Sequence, residues 1–382
     1  MMTSIYLDHA ASTPVHPEVA EEMLRVMTSQ YGNASSVHSY GREAKKMVSG
    51  ARDKIAILLG CLPDEVVFTA GGTESDNLAI FGTLEALGLQ GKHVITSAIE
   101  HHAVLHTCEE LEKRGCEVTY LPVDSMGRIS VDEIANAIRD NTVLITVMFG
   151  NNEIGTVQPI REIGELARSK GIVFHTDAVQ ALGSEHISCK EFPVDLWSFS
   201  SHKINGPQGI GMLVVKRGQS LYPRLFGGLQ EKKRRAGTEN IAGIVGFAKA
   251  VQLAVEGLDE RRAHYFMLRE TFVQSLVHEI GQDAFVINGH PDYFMPHIIN
   301  ISFPGVSTET MLMNLDMEGI AAASGSACTS GSLEISHVLK AMNLSEKLLR
   351  SAIRFSFGLG NTSQEMEYTA RKIGTILNRL RK

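Results

Sequence analysis

The sequence predicts an α/β fold with a mainly parallel, seven-stranded sheet in a large domain and a second, smaller α+β domain. Short apolar runs alternate with amphipathic stretches from residue 66 to 215, which is the pattern of repeated strand–helix units. At 382 residues the chain exceeds one typical domain, and residues 240–276 read as mostly helical, a connection into the second body. The expected division is residues 14–258 for the large domain, and 1–13 with 259–382 for the small one.

The expected strands are 66–69, 93–97, 117–121, 143–149, 172–176, 196–200 and 211–215. Between them the apolar spacing predicts helices over 75–87, 103–114, 130–138 and 160–169. In such sheets ligands bind beyond the strand ends, and the chemically informative residues fall there.

Composition narrows the function class. A net charge of −7 argues against direct nucleic-acid binding, and the short basic run Lys232–Arg235 reads as a solvated or interface loop. Apolar runs are too short for a membrane span, and the N-terminal stretch with Asp8 and His9 lacks a signal-peptide core. Five scattered cysteines fit a reducing, cytoplasmic compartment rather than a disulfide framework. Of these, Cys61, Cys108, Cys116 and Cys189 read as packing residues.

Lys203 follows a buried strand and precedes a loop opened by Gly206, Pro207 and Gly209. Two readings fit it: a snorkelling lysine at a strand end, or an amine presented to a carbonyl cofactor, since desolvation frees its lone pair for a Schiff base. Its surroundings favour the second. Asp177 ends another apolar run, where an acid would keep the ring nitrogen of pyridoxal 5'-phosphate protonated. Gln180, three residues on, suits the ring's phenolic oxygen. The strand–glycine turn–helix start running through Gly71, Gly72 and Thr73 offers backbone N–H groups to a phosphate. Ordinary helix capping is the competing reading for residues 73–77.

Cys328 sits among small residues from 321 to 332. Such a stretch reads either as a mobile loop presenting a thiolate nucleophile or as a tight Ala/Gly/Ser packing segment. Arg354 alternates with apolar residues as an inward-facing strand position does, and either grips a carboxylate or closes a structural ion pair. His101 follows a strand end and suits stacking on a planar ring with proton exchange; spacing alone does not separate it from His102.

The ordered motifs Tyr6–Pro14, Gly32–His38, Gly71–Asn77, Asn151–Gly155, Thr176–Gln180, Ser200–Gly206, Arg235–Asn240 and Ser324–Ser332 resemble the cysteine desulfurases. These are the NifS/IscS group of pyridoxal phosphate enzymes, with the fold type I, aspartate-aminotransferase-like architecture. The Ser-Gly-Ser-Ala-Cys-Thr-Ser form is similar to group I, with its long cysteine loop at about 321–333. The resemblance implies removal of sulfur from L-cysteine, giving L-alanine and a Cys328 persulfide passed to an acceptor such as an iron–sulfur scaffold or a tRNA-thiolating enzyme. It further implies that Lys203 carries the cofactor and His101 stacks on it, with Asp177 and Gln180 on the ring. Gly72, Thr73, Ser200, Ser201 and His202 then belong to the cofactor site, and Asn152 and Arg354 hold the substrate carboxylate. Thr238 matches a threonine that reaches the neighbouring subunit's phosphate, which implies a homodimer. Departures from the family pattern are Ala34, Phe149, Leu229 and the pair Lys232 and Lys233.

Overall fold

The computed structural model describes residues 4–325 and 335–381. After β1 (Ile5–Tyr6), the strands β2 (Val66–Thr69), β3 (His93–Ser97), β4 (Glu117–Leu121), β5 (Thr142–Thr146), β6 (Val173–Asp177), β7 (Leu196–Ser200) and β8 (Gly211–Val215) appear in turn. The last seven form one sheet in the order β2-β8-β7-β6-β5-β3-β4. β8 runs antiparallel to β2 and β7, and the other pairs are parallel. The run expected over 143–149 is β5, which stops at Thr146, although Val147 and Phe149 still donate to the carbonyls of His175 and Asp177. The strand expected over 172–176 is shifted by one residue, so that Asp177 is its last member.

Alternation along β7 explains how both faces are covered. Trp197 and Phe199 point to one side, where their rings stack 6.1 Å apart and join a core containing Phe174, Phe247 and Ala250. Leu196 points to the other side with Leu78, Ala79 and Leu213, beneath the helix Gly72–Leu87. That helix begins earlier than periodicity predicts, because the glycine turn is itself its first position. Each fully buried Phe or Leu contributes about 1.5–3 kcal/mol relative to exposure, so the sheet is a rigid platform for groups at its strand ends.

The remaining strands are β9 (Val286–Asn288), β10 (Ile298–Ser302), β11 (Ile320–Ala321) and β12 (Ala352–Ser356). β12, β10 and β9 make an antiparallel sheet, and β11 pairs in parallel with β1. The helices Leu258–Ile280 and Ser363–Leu380 pack on each other, and their apolar residues join this sheet in a second core. A capping box starts the latter: Thr362 Oγ1 accepts from Glu365 N–H at 3.3 Å, and Glu365 Oε2 accepts from Thr362 N–H at 2.9 Å. Ile5 and Leu7 belong to this second core with Tyr265, Phe355 and Phe357. The N-terminal segment therefore packs with residues more than two hundred positions away. Among the described residues no single helix is long and apolar enough to cross a membrane.

Candidate active site

The C-terminal ends of β2, β3, β5, β6 and β7 open on one side of the main sheet, and the N-terminal turn at residues 8–11 closes over them. Between lies a cavity of about 370 Å³ lined by residues from every one of these segments, together with Arg354 of β12.

Lys203 ends a 3-10 turn, Ser201–Lys203, that directly follows β7. Its Nζ donates to the carbonyl oxygen of Ala10 and, at 2.8 Å, to that of Ala11. Gln180 Nε2 donates to the same Ala10 carbonyl at 2.8 Å. Asp177 lines the cavity from the end of β6 and accepts the Val179 N–H at 2.9 Å. Burial pushes its carboxyl up to about 6, against the opposing pull of the Val179 N–H and Lys203.

His101 caps the helix His102–Lys113: its Nδ1 accepts the Ala103 N–H at 3.1 Å. That bond assigns the ring proton to Nε2. Burial, with Lys203 adding to it, lowers His101 to about 4, so the ring is neutral. His101 lines the cavity. His102 instead stacks against His106 and faces the His337 ring at 4.8 Å.

Gly72, Thr73, Ser200 and His202 line both this cavity and a wider adjoining cleft that includes Gln208 and Gly209. A Cβ on Gly72 would stand 2.8 Å from Val179 Cγ2, so the absent side chain keeps this wall open. The first N–H groups of the helix starting at Gly72 lack intrahelical acceptors and are suited to a phosphate. His202, held at Ser12 Oγ by a 3.3 Å contact, is lowered to about 4 by burial and then by Lys203.

Ser201 differs from its neighbours. It is fully buried, its Oγ has no hydrogen-bond partner, and it lies against Gly206, whose Cβ would sit 2.0 Å from that oxygen. Its carbonyl accepts from Gly206 N–H at 3.0 Å, so Ser201 shapes the turn from behind rather than facing the cavity.

Arg354 is 2% exposed. Its Nη1 donates to the Asn152 carbonyl at 3.0 Å and its Nη2 to Asp8 Oδ1 at 2.7 Å, while Nε is buried with no partner. The ion-pair reading of this arginine holds, and Arg354 also lines the cavity with Asn152. Thr238 is exposed and does not line its own chain's cavity. In the basic run beside it Arg235 is paired, its Nε 2.7 Å from Glu74 Oε1, while Lys232 and Lys233 are exposed.

Cys328 lies outside the described residues. The positions flanking its segment meet at Glu153: a Cβ on Gly325 would stand 2.8 Å from Glu153 Oε2, and Ser336 Oγ donates to that oxygen at 2.5 Å. Cys108, Cys116 and Cys189 are buried and Cys61 is partly so, as packing residues would be. Among the described residues no group of three or more His, Cys, Asp or Glu side chains could hold a metal ion.

Sequence reasoning missed the parts played by Asp8, Ala10 and Ala11. Their motif was visible, but two of the three act through backbone carbonyls, which leave no side-chain signature.

This donor set suits pyridoxal phosphate: an amine, a carboxyl at a strand end, a neutral imidazole and an open helix N-terminus converge on one cavity of ordinary ligand size. The family model for aminotransferase class-V matches residues 5–369. A protein of Methanosarcina thermophila named cysteine desulfurase IscS is 47% identical over 378 residues, covering 99% of this chain and 93% of its own. A solved structure titled NifS-like protein aligns with TM-score 0.93 at 35% identity, over 99% of this chain and all of that one. Another, titled SspA in complex with cysteine, aligns with TM-score 0.80 at 38% identity, over 93% of this chain and 99% of its own.

Proposed function

The chain belongs to the class-V aminotransferase family and, within it, to the NifS/IscS-type cysteine desulfurases, and from that premise we propose how its residues divide the work. The protein is a pyridoxal phosphate-dependent enzyme that takes sulfur from L-cysteine. One observation carries the assignment of roles: Lys203, Asp177, Gln180, His101 and Arg354 converge from three strand ends and β12 on a single cavity.

When bound, pyridoxal phosphate supplies an electron sink that acidifies the substrate Cα–H and labilises the bond from Cβ to sulfur. Lys203 would hold the cofactor aldehyde, and its amine would move the substrate's Cα proton. Asp177 keeps the ring nitrogen protonated, and Gln180 meets the phenolic oxygen. His101 would stack on the ring, with its Nε2–H available as a donor. Gly72 N–H, Thr73, Ser200 and His202 hold the phosphate, and Ser201 supports them from beneath. Arg354 and Asn152 hold the substrate carboxylate, making the later attack effectively intramolecular.

The Cys328 thiolate attacks the substrate sulfur. A sulfur–sulfur bond forms as the carbon–sulfur bond breaks, the electron pair passes to Cβ, and protonation there leads to L-alanine. The Cys328 persulfide then passes to a thiol-bearing acceptor protein, of the iron–sulfur scaffold or tRNA-thiolating kind.

The assembly proposed is a homodimer in which Thr238, exposed on its own chain, completes the phosphate site of the partner through the adjoining cleft. The two hydrophobic cores support a large domain at 14–258 and a small one from 1–13 and 259–382. Unpaired cysteines fit the cytoplasm.

The test is Cys328→Ala. It should keep the yellow cofactor and its spectral reaction with L-cysteine, yet accumulate no persulfide by mass spectrometry. Sulfide release at the unaltered rate would overturn the assignment.

A further inference from the structure

The N-terminal turn touches both cationic side chains of the cavity. Its Ala10 and Ala11 carbonyls accept from Lys203 Nζ, and two residues earlier Asp8 accepts from Arg354 Nη2 at 2.7 Å. The turn is itself held firmly. Asp8 O accepts from Ala11 N–H at 3.0 Å and from Tyr6 OH at 3.1 Å. Ala10 N–H donates to Ser356 Oγ at 2.8 Å, and Ser356 N–H donates to Leu7 O at 2.8 Å. The turn is thus fastened to β12 two residues beyond Arg354, on the side chain and backbone of one serine.

A guanidinium on a long side chain has several rotamers, and a carboxylate fork needs one of them. Here two acceptors take one proton from each terminal nitrogen: Asp8 from Nη2 and the Asn152 carbonyl from Nη1. Nε remains buried with no partner, in a side chain that lines the cavity. An unsatisfied buried donor is costly to a folded protein, so its presence points to an anion that arrives later. Asp8 is less buried than the arginine, at 21% side-chain exposure against 3%. Arg354 lines the cavity and Asp8 does not, so Asp8 pairs with the guanidinium from outside the cavity.

We propose that Asp8 is a positioning residue that holds the Arg354 guanidinium in the orientation that receives the substrate's α-carboxylate, at a spacing from Lys203 fixed by the same turn. It touches neither substrate nor cofactor. It acts through Arg354, and the proposal rests on the reading that Arg354 binds the carboxylate.

The experiment compares Asp8→Ala, Asp8→Asn and Arg354→Ala as pyridoxal phosphate-loaded enzymes with L-cysteine. Asp8→Ala should raise KM about tenfold with kcat within about threefold, while the bound cofactor's absorption stays that of the unaltered enzyme. Asp8→Asn keeps an oxygen acceptor of the same reach and should restore KM to within about threefold. An unchanged or lowered KM in Asp8→Ala would overturn the proposal, because Asp8 would then compete with the substrate rather than aim the arginine. Equal damage in both Asp8 variants would also overturn it, by assigning the effect to charge alone. Arg354→Ala separates the two readings: if it leaves KM unmoved, the carboxylate assignment itself fails. If it raises KM while Asp8→Ala does not, only the role of Asp8 fails. Should Asp8→Ala not fold, Asp8→Asn with a KM raised tenfold would refute positioning on its own.

Discussion

Asp76 Oδ1 stands 3.6 Å from His175 Nε2, with both side chains buried and Asp76 on the wall of the cavity that Asp177 also lines. His175 and Asp177 share one face of β6, and the helix Gly72–Leu87 brings Asp76 down onto that face. His175 completes its contacts with Thr146 Oγ1 at 2.8 Å and Ser198 Oγ at 3.0 Å. Burial, and then the charge of Asp177, push the Asp76 carboxyl well above the usual carboxylate range. Two adjacent buried carboxyls cannot both be ionised cheaply, and Asp177 has Lys203 and the Val179 N–H to favour its anion.

The neutral member is therefore Asp76. Asp76→Asn, which imitates a protonated acid, should bind pyridoxal phosphate within about threefold of the unaltered protein. An absorbance titration measures this. In the infrared spectrum of the cofactor-free protein at neutral pH, the variant should lose a protonated-carboxyl band. A lost carboxylate band in its place would show that Asp76 is ionised.

The role proposed for Lys203 is the covalent bond to the cofactor. Borohydride reduction followed by peptide mapping should place the pyridoxyl label on Lys203, and Lys203→Ala should show neither label nor yellow absorption. A label on any other lysine ends this reading of the site.

Gly72 lies where the phosphate is expected, and its missing Cβ clears Val179. Gly72→Ala should weaken cofactor binding about tenfold or more and cost about 1–3 kcal/mol of stability through overpacking. Equilibrium dialysis with thermal melting measures both. Full cofactor affinity in a destabilised variant would put the phosphate elsewhere.

Glu100 accepts Ser97 Oγ–H at 2.5 Å and Met148 N–H at 3.0 Å, and burial pushes its carboxyl from 4.5 up to about 8. The folded protein keeps a proton there that the unfolded chain releases above its ordinary carboxylate range. Its contribution to stability is complete below about pH 4.5 and is lost as pH rises towards about 8. Glu100→Gln has no such proton. Urea unfolding at pH 5 and pH 8 should show the unaltered protein losing on the order of a few kcal/mol relative to the variant. Parallel behaviour of the two proteins would mean that Glu100 is ionised when folded.

Much of this molecule was determined by sequence alone. Alternating apolar runs marked all seven strands of the main sheet, because side-chain period and burial are local properties. Lys203, Asp177 and the Gly71–Gly72 turn stood out because each ends a strand, where such a residue covers no surface well. What only the tertiary structure decided were the pairings across long stretches of chain. Asp8 meets Arg354 across 346 positions, and Lys203 reaches the Ala10 carbonyl across 193. That His101 lines the cavity while His102 does not was decided by the tertiary structure, as was the inward turn of Ser201 by the close approach of Gly206. The physical reason is common to all of these. A residue's spacing selects its element and face, whereas its partner is whatever the packing of distant elements brings within hydrogen-bonding reach.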